Sequence, residues 1–363
     1  MNRGFEEFRA LLQPLRSSPL ESYDIYNVPA VEISSNCCDA PQISVLTTAY
    51  NHAHCLAQAL DSALAQQTRV SFEILLGEDC STDGTREIAR DYQRRYPRII
   101  RLITSEKNCN HGNFTRLLMR ARGKYVAILE GDDFWNRTDK LQLQYDLLEE
   151  HPECSWSASD SDKYFQRDGH CDKAYLRRKG LLEAAASMTA REQLLESRFW
   201  LDTCTIFART EFLRAAYDDI PLFSYRLSLG DLAMRTALSL KGKLAFVPEP
   251  LATYRINTPG SSACRIQDPR KALDFLLDAW LICEYFAPDV LNESEHRQLH
   301  RRFARGLCAR CSNILDRRLA HDAKALLKKL DCRLSWKDRL YLAMGTYPAL
   351  YDFMQRRRRK MWS

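Results

Sequence analysis

The run Gly123-Lys124-Tyr125-Val126-Ala127-Ile128-Leu129-Glu130-Gly131-Asp132-Asp133-Phe134-Trp135 decides the fold. Tyr125 to Leu129 reads as a short apolar strand, and it stops at a cluster of carboxylates. Upstream, the same arrangement recurs. Ile43 to Thr47 reads as a strand that runs into Thr48, Ala49, Tyr50 and Asn51. Phe72 to Leu76 reads as a buried strand that runs into Gly77, Glu78, Asp79, Cys80, Ser81, Thr82, Asp83 and Gly84. Ile99 to Ile103 is a third, followed by a polar loop with Asn108, Asn110, Gly112 and Asn113. Helical patterns fill the gaps: His54 to Gln67 puts Leu56, Leu60 and Leu64 on one face, and Gly84 to Tyr96 stops near Pro97. Apolar strands alternating with helices predict βαβ units and a doubly wound, mostly parallel α/β sheet with helices on both faces.

Working outward, residues 1–41 read as an N-terminal extension, and 42–260 as the α/β domain. From 133 to 254 the pattern loosens. Strand candidates lie at Cys154–Ala158 and Leu244–Val247, and helices at Thr189–Glu196 and Gly230–Leu240; Thr189 and Glu192 have capping-box spacing. Residues 265–363 read as all-helical, with breaks near Pro288, Leu330–Ser335 and Pro348. The chain has 363 residues, enough for a large core without disulfide staples. Its 13 cysteines, an odd number spread along the chain, fit reduced thiols in a cytoplasmic protein better than a secreted framework. The first 20 residues have no uninterrupted apolar segment, so no signal peptide is expected. No stretch reaches the ~18–20 apolar residues of a membrane span.

In open α/β sheets, ligands bind beyond the carboxyl ends of the strands. One acidic turn there would mean little, but four polar or acidic strand ends in series point to a nucleotide and a divalent cation. Carboxylates suit a hard, oxygen-preferring ion such as Mg²⁺ or Mn²⁺, which would neutralise a leaving diphosphate. Tyr50 can stack on a base, and Asp79 can accept from a base N–H. Neither a GxGxxG turn nor a Walker lysine is present.

The segments Ser44–Asn51, Glu73–Thr85 and Gly123–Trp135, with Lys140-Leu141-Gln142 following, are similar in order and spacing to the family-two glycosyltransferases of the GT-A fold, in the variant that resembles bacterial enzymes of surface-polysaccharide and lipopolysaccharide assembly. The resemblance covers about residues 42–260. It implies that Thr48, Tyr50 and Asp79 hold the nucleotide base, that Glu130 faces the ribose, and that Asp132 and Asp133 serve the metal. Asp231, in Leu229-Gly230-Asp231-Leu232, matches the position of the catalytic base, and Arg255, in Tyr254-Arg255, the closing element that faces the diphosphate. The implied reaction is an inverting transfer of a sugar, UDP-linked, to a hydroxyl of a glycan or lipid-linked acceptor, with general-base help of about 10²–10⁴-fold. The sequence departs from the family pattern twice: Glu130 replaces the first Asp of the Asp-x-Asp element, and Asn257 stands where His is common.

Each feature has a plainer reading. Tyr50-Asn51 alone would be an ordinary turn, Asp83 a helix cap, Asp231 an N-cap, and Arg255 the partner of a carboxylate. His52, His54 and His111 are assigned no role. Cys308 and Cys311 are one helical turn apart without a second pair at zinc spacing, so they read as packed thiols. A nucleotidyltransferase would need a basic loop after the first strand, and Thr48–Ala53 has neither Lys nor Arg. The alternative from another class is a non-catalytic nucleotide- or sugar-binding subunit that recruits partners through its helical tail; the intact carboxylates speak against it.

Charge is divided unevenly. Residues 265–363 hold 21 Lys/Arg and 12 Asp/Glu, a net of +9, against −3 for the rest. The apolar, aromatic run Leu340–Met354 is followed by Arg356, Arg357, Arg358, Arg359 and Lys360. This predicts peripheral contact with an anionic membrane surface at the inner face of the cell membrane. The plainer reading is a last core helix with a basic end. Nucleic acid is not expected, because no basic-aromatic module accompanies the tail.

Overall fold

The computed structural model describes residues 3–20, 22, 28–34, 40–196, 199–225, 227–256, 268–347, 349 and 351. Asn257, Pro348 and the basic run 356–360 lie outside the described residues. The chain divides into two compact units: Met1–Glu21 with Leu227–Leu232 and Arg265–Ser363, and Ser22–Arg226 with Ala233–Cys264. The stretch 1–41 is therefore shared between both.

The larger unit is built on a ten-stranded mixed sheet. In chain order its strands are β1 (Ala30–Ile33), β2 (Ile43–Ala49), β3 (Phe72–Glu78), β4 (Ile100–Ser105), β5 (Tyr125–Ile128), β6 (Phe134–Trp135), β7 (Cys154–Phe165), β8 (Cys171–Asp172), β9 (Phe207–Arg209) and β10 (Lys243–Ile256). Their order across the sheet is β1-β4-β3-β2-β5-β9-β7-β10-β6, with β8 beside β7. Parallel pairing carries most of the register: β2 with β3 and β5, β3 with β4, and β7 with β10. β2 and β3 are near-continuous apolar runs because helices cover both faces of a parallel sheet. The helix Leu56–Leu64 buries Leu56, Ala59, Leu60 and Ala63 against Ile43, Val45, Ile74 and Leu76.

The amino ends of the central strands are fixed by a buried ion network. Glu73 accepts from Ser44 Oγ (2.8 Å), Arg101 (3.0 Å) and Arg122 (2.6 Å). Arg101 also holds Glu32 of β1 (2.7 Å). The chain runs from β2 outward through β3 and β4, then returns to the other flank of β2 as β5. The order of connection thus reverses beside β2, and the carboxyl ends of β2 and β5 open a crevice at that point.

The other unit contains the helices Arg3–Leu12, Pro269–Val290, Glu293–Ile314, Arg317–Lys329 and Trp336–Thr346. Asp268, Asn292, Asp316 and Ser335 cap the last four with their side chains. Phe5 and Phe8 of the first helix pack edge-on against Tyr285 and Trp280.

Candidate functional site

Three loops meet at the carboxyl ends of β2, β3 and β5. The β5 loop is tied to β2 by backbone bonds: Leu129 N donates to Leu46 O (3.0 Å) and Gly131 N to Thr48 O (2.8 Å). Gly131 has no room for a side chain, since a Cβ would lie 2.8 Å from His52 Nδ1 and 3.0 Å from Thr48 O. The β3 loop is tied in the same way, with Asp79 N donating to Ala49 O (3.0 Å). Asn51 Oδ1 accepts from Thr82 N (2.8 Å), and Asn51 N donates to Ser81 Oγ (3.0 Å), so the turn bearing Tyr50 is fastened to the turn bearing Asp79.

The backbone here is strained. Asn51, Cys80 and Asn110 follow β2, β3 and β4, and each has a positive φ of 50–62°. Non-glycine residues adopt this region at a cost of order 1–3 kcal/mol, and such residues gather at functional loops.

Most of the sequence-predicted residues are directly linked to one another or to these loops. Asp79 is buried, and its carboxylate accepts from Cys109 N (2.9 Å) and Asn110 N (2.8 Å), which brings in the β4 loop. Burial raises its pKa, with those two hydrogen bonds opposing the rise. Asp132, 14% exposed, lies 4.0 Å from His52 Nε2. Asp133 is buried, and its Oδ1 accepts from Arg255 N at 2.8 Å. Burial, then the nearby charges of Asp132 and Glu130, push Asp133 well above the usual carboxylate range. Thr48 is joined through its carbonyl, as above, and Tyr50 and Glu130 occupy the adjoining turn positions.

Arg255 departs from the plainer reading. It is 7% exposed, yet its guanidinium donates to the neutral side chains of Gln166 (3.1 Å) and Gln58. Phe134 and Tyr164 flank it at 5.1 and 5.3 Å. Among the described residues it makes no ion pair within 4 Å. Asp231 lies in the first turn of the helix Gly230–Lys241, half-buried, within the stretch Leu227–Leu232 that groups with the helical unit.

The sequence reading passed over His52. Its ring is half-buried, its Nδ1 is buried and has no hydrogen-bond partner among the described residues, and burial lowers its pKa against the pull of Asp132. Its place directly after Tyr50-Asn51 was the available signal. Gln58 and Gln166 were also missed; neither carries a local signature.

Carboxylate oxygens dominate the surroundings of Asp132, with His52 Nε2 4.0 Å away, and the crowding that raises Asp133 is what a divalent cation would relieve. The carboxylates therefore fit a hard divalent ion, with Asp132 the more accessible of the aspartate pair and Asp133 buried behind it.

A family model, Glycosyl transferase family 2, matches residues 44–216. The likeness to glycosyltransferase family 2 is thus carried by this segment. The matched region contains β2 to β5 and every loop described above except the Arg255 strand. A Bacillus subtilis protein provisionally described as the teichuronic acid biosynthesis glycosyltransferase TuaG is 28% identical over 255 residues, covering 68% of this chain and 94% of its own. Uncharacterised proteins of Mycobacterium tuberculosis and Mycobacterium bovis are 30% identical over 234 residues, and the match spans only 63% of their length and 63% of this chain. Among solved structures, S. aureus TarS in complex with UDP-GlcNAc superposes with a TM-score of 0.55 at 17% identity, over 85% of this chain and 82% of its own. The mannosyltransferase PcManGT of Pyrobaculum calidifontis, in complex with GDP-Man and Mn²⁺, gives 0.53 at 16% identity, over 96% and 89%. These likenesses give the family-two segment its GT-A-type fold.

Proposed function

We propose that the chain is an inverting glycosyltransferase that moves a sugar from a nucleotide-sugar donor, with UDP as the nucleotide, to a hydroxyl of a glycan or lipid-linked acceptor in surface-polysaccharide assembly. One observation carries the reading: the buried Arg255 guanidinium has no carboxylate partner among the described residues, while its backbone N–H holds Asp133 of the carboxylate turn. Buried charge is ordinarily paired, and a diphosphate is the partner that this pocket lacks. The UDP-GlcNAc carried by TarS and the polymer named for TuaG support the choice of nucleotide and product class.

Asp79 and the turn Thr48–Asn51 receive the base and ribose, with Tyr50 against the base and Glu130 on the ribose side. Asp132, with Asp133 behind it, would hold a divalent cation, which supplies charge neutralisation at the diphosphate when bound. Asp231 takes the proton of the acceptor hydroxyl as that oxygen attacks the anomeric carbon. The bond from that carbon to the diphosphate oxygen breaks on the opposite face, and the nucleoside diphosphate leaves with the electron pair. Arg255 neutralises the charge that develops there. Asp133 holds the Arg255 backbone, so the cation site and the guanidinium are fixed relative to each other.

Titration calorimetry of UDP, with GDP as control, with and without Mn²⁺, tests the donor site. UDP should bind only with the ion, and binding should be lost in Asp132→Ala. Binding that ignores both the ion and the substitution would overturn this reading; preference for GDP would move the donor to the guanosine class. We also propose that the basic run Arg356–Lys360 holds the enzyme to the cytoplasmic face of an anionic membrane. No helix among the described residues is long and apolar enough to cross one.

A further inference from the structure

The helical unit carries a second cluster that the transfer chemistry does not use. Glu284 comes from the helix Pro269–Val290; His296 and His300 come from the helix Glu293–Ile314. The two histidines are four residues apart and share one helical face. Asn292 and Glu295 form a capping box (3.0 Å in each direction), which fixes the start of that helix three residues ahead of His296. Phe8 and Trp280 meet the His300 ring edge-on at 6.0 and 5.6 Å and hold its plane.

Three atoms converge. His296 Nε2 and His300 Nε2 each lie 2.9 Å from the same Glu284 oxygen, Oε2, and 3.0 Å from each other. Among the described residues this is the one group of three His, Cys, Asp or Glu side chains whose donor atoms lie within 4.8 Å of one another. Hydrogen bonds leave the triangle crowded, although Glu284 Oε2 has lone pairs for both imidazoles. An imidazole nitrogen has a single in-plane site, either a proton or a lone pair. If both histidines donate to Glu284, two N–H groups confront each other at 3.0 Å. If either is unprotonated at Nε2, its lone pair confronts the carboxylate oxygen. A cation at the centre takes all three lone pairs at once.

We propose that Glu284, His296 and His300 form a binding site for a divalent transition metal, with Zn²⁺ as the expected occupant. Two imidazoles and one carboxylate are a nitrogen/oxygen set that borderline metals prefer over Mg²⁺ or Ca²⁺. Tetrahedral zinc with bonds of about 2.0–2.1 Å separates its ligands by about 3.3 Å, so the triangle needs only a slight opening. The His296 side chain is 34% exposed, which leaves a solvent route for a water as fourth ligand. The ion would clamp two consecutive helices, and its two-imidazole ligand set differs from the carboxylates of the donor site.

The test uses the full chain, freed of metal and titrated with Zn²⁺, beside Glu284→Gln, His296→Gln and Asp132→Ala. The expected result is one tight equivalent in wild type, kept in Asp132→Ala and weakened at least about 10-fold in the other two. Far-ultraviolet circular dichroism checks that each variant is folded. Co²⁺-loaded protein should show the visible bands of a four-coordinate ion without a thiolate charge-transfer band. Wild-type protein that binds no Zn²⁺ overturns the proposal without recourse to any variant. So does zinc that survives in folded Glu284→Gln, or a thiolate band, either of which would put the ion on the cysteines.

Discussion

Arg255 shows how much one side chain can reveal when its partners are neutral. Its backbone N–H holds Asp133, while its guanidinium rests on two glutamines and two aromatic rings. The two roles separate cleanly by substitution. Arg255→Met keeps the backbone bond and fills the aromatic slot, but removes the charge. Nucleotide affinity should fall 10–100-fold, because hydrogen bonds to charged groups contribute about 1.5–3 kcal/mol. Thermal stability should hold or rise, since a buried cation with no ion pair among the described residues is costly to keep. Calorimetry and melting curves on the same preparations read both. A variant that melts lower and binds UDP normally would make Arg255 a structural prop. The residue scale is also where the sequence was least explicit. Tyr50, Asp79 and Asp132 were legible because each follows a strand end. That Asp79 would bind the Cys109–Asn110 backbone, and that His52 would come within 4.0 Å of Asp132, depends on loops 30 and 80 residues apart meeting in space.

Elements were legible where periodicity and burial agreed. The strands at 43, 72, 100 and 125 and the helix after Thr189 lie within a few residues of their predicted bounds, and Thr189 accepts from Glu192 N as its spacing implied. β7 ran seven residues past its predicted end. Its second half, Ser159 to Lys163, is polar yet buried, because side chains are satisfied by local donors: Asp160 accepts from Leu176 N (2.8 Å) and Asp162 from Ala174 N (2.8 Å). No hydrophobic alternation marks such a strand. β1 and the helix Arg3–Leu12 went unread inside the extension; β1 is short and depends on β4 for its partner. The helix Lys140–Glu150 carries an element-scale prediction. Lys140 is fully buried, donates to Gln144 Oε1 and sits 4.5 Å from the Trp135 ring. Burial lowers its pKa to about 7, against about 10.4 in an unfolded chain. Between those values the unfolded state binds a proton that the folded state does not. Stability from this group is therefore full above the unfolded value and lost as pH falls towards 7. The slope approaches about 1.4 kcal/mol per pH unit. Lys140→Met removes that slope. Urea midpoints from pH 7 to 9 should rise more steeply in wild type than in the variant, and parallel curves would show that the ammonium is not desolvated as the burial implies.

At the scale of the whole molecule the division of charge matters more than its sum. The donor-site unit is built around carboxylates, and the positive excess lies in the last hundred residues, concentrated at Arg356–Lys360. The apolar run before that tail does not behave as a free anchor along its first part. Leu342 and Met344 are buried in the capped helix Trp336–Thr346, and Gly345 packs so tightly that a Cβ would lie 2.8 Å from Cys311 O. Side chains spent on packing cannot insert into a bilayer, so membrane attraction must come mainly from charge. Electrostatic attraction has a clear signature: it needs anionic lipid and is screened by salt over about 8–10 Å at physiological strength. Five basic groups at about 1 kcal/mol each set an upper bound near 5 kcal/mol. Replacing all five with Gln should then cut partitioning onto vesicles of mixed phosphatidylglycerol and phosphatidylcholine by at least about 100-fold. Raising the salt to about 0.5 M, where the screening length is only a few ångströms, should have a similar effect on wild type, and pure phosphatidylcholine should bind neither protein. Vesicle co-sedimentation measures all three. Equal binding to neutral vesicles would assign the attraction to exposed aromatics such as Trp336, 70% exposed, and Tyr347, 62% exposed. Binding that survives the Gln substitutions on anionic vesicles would move it to the rest of the basic helical unit. UDP affinity, measured on the same tail variant, should be unchanged, because the nucleotide site is drawn entirely from strand ends of the other unit.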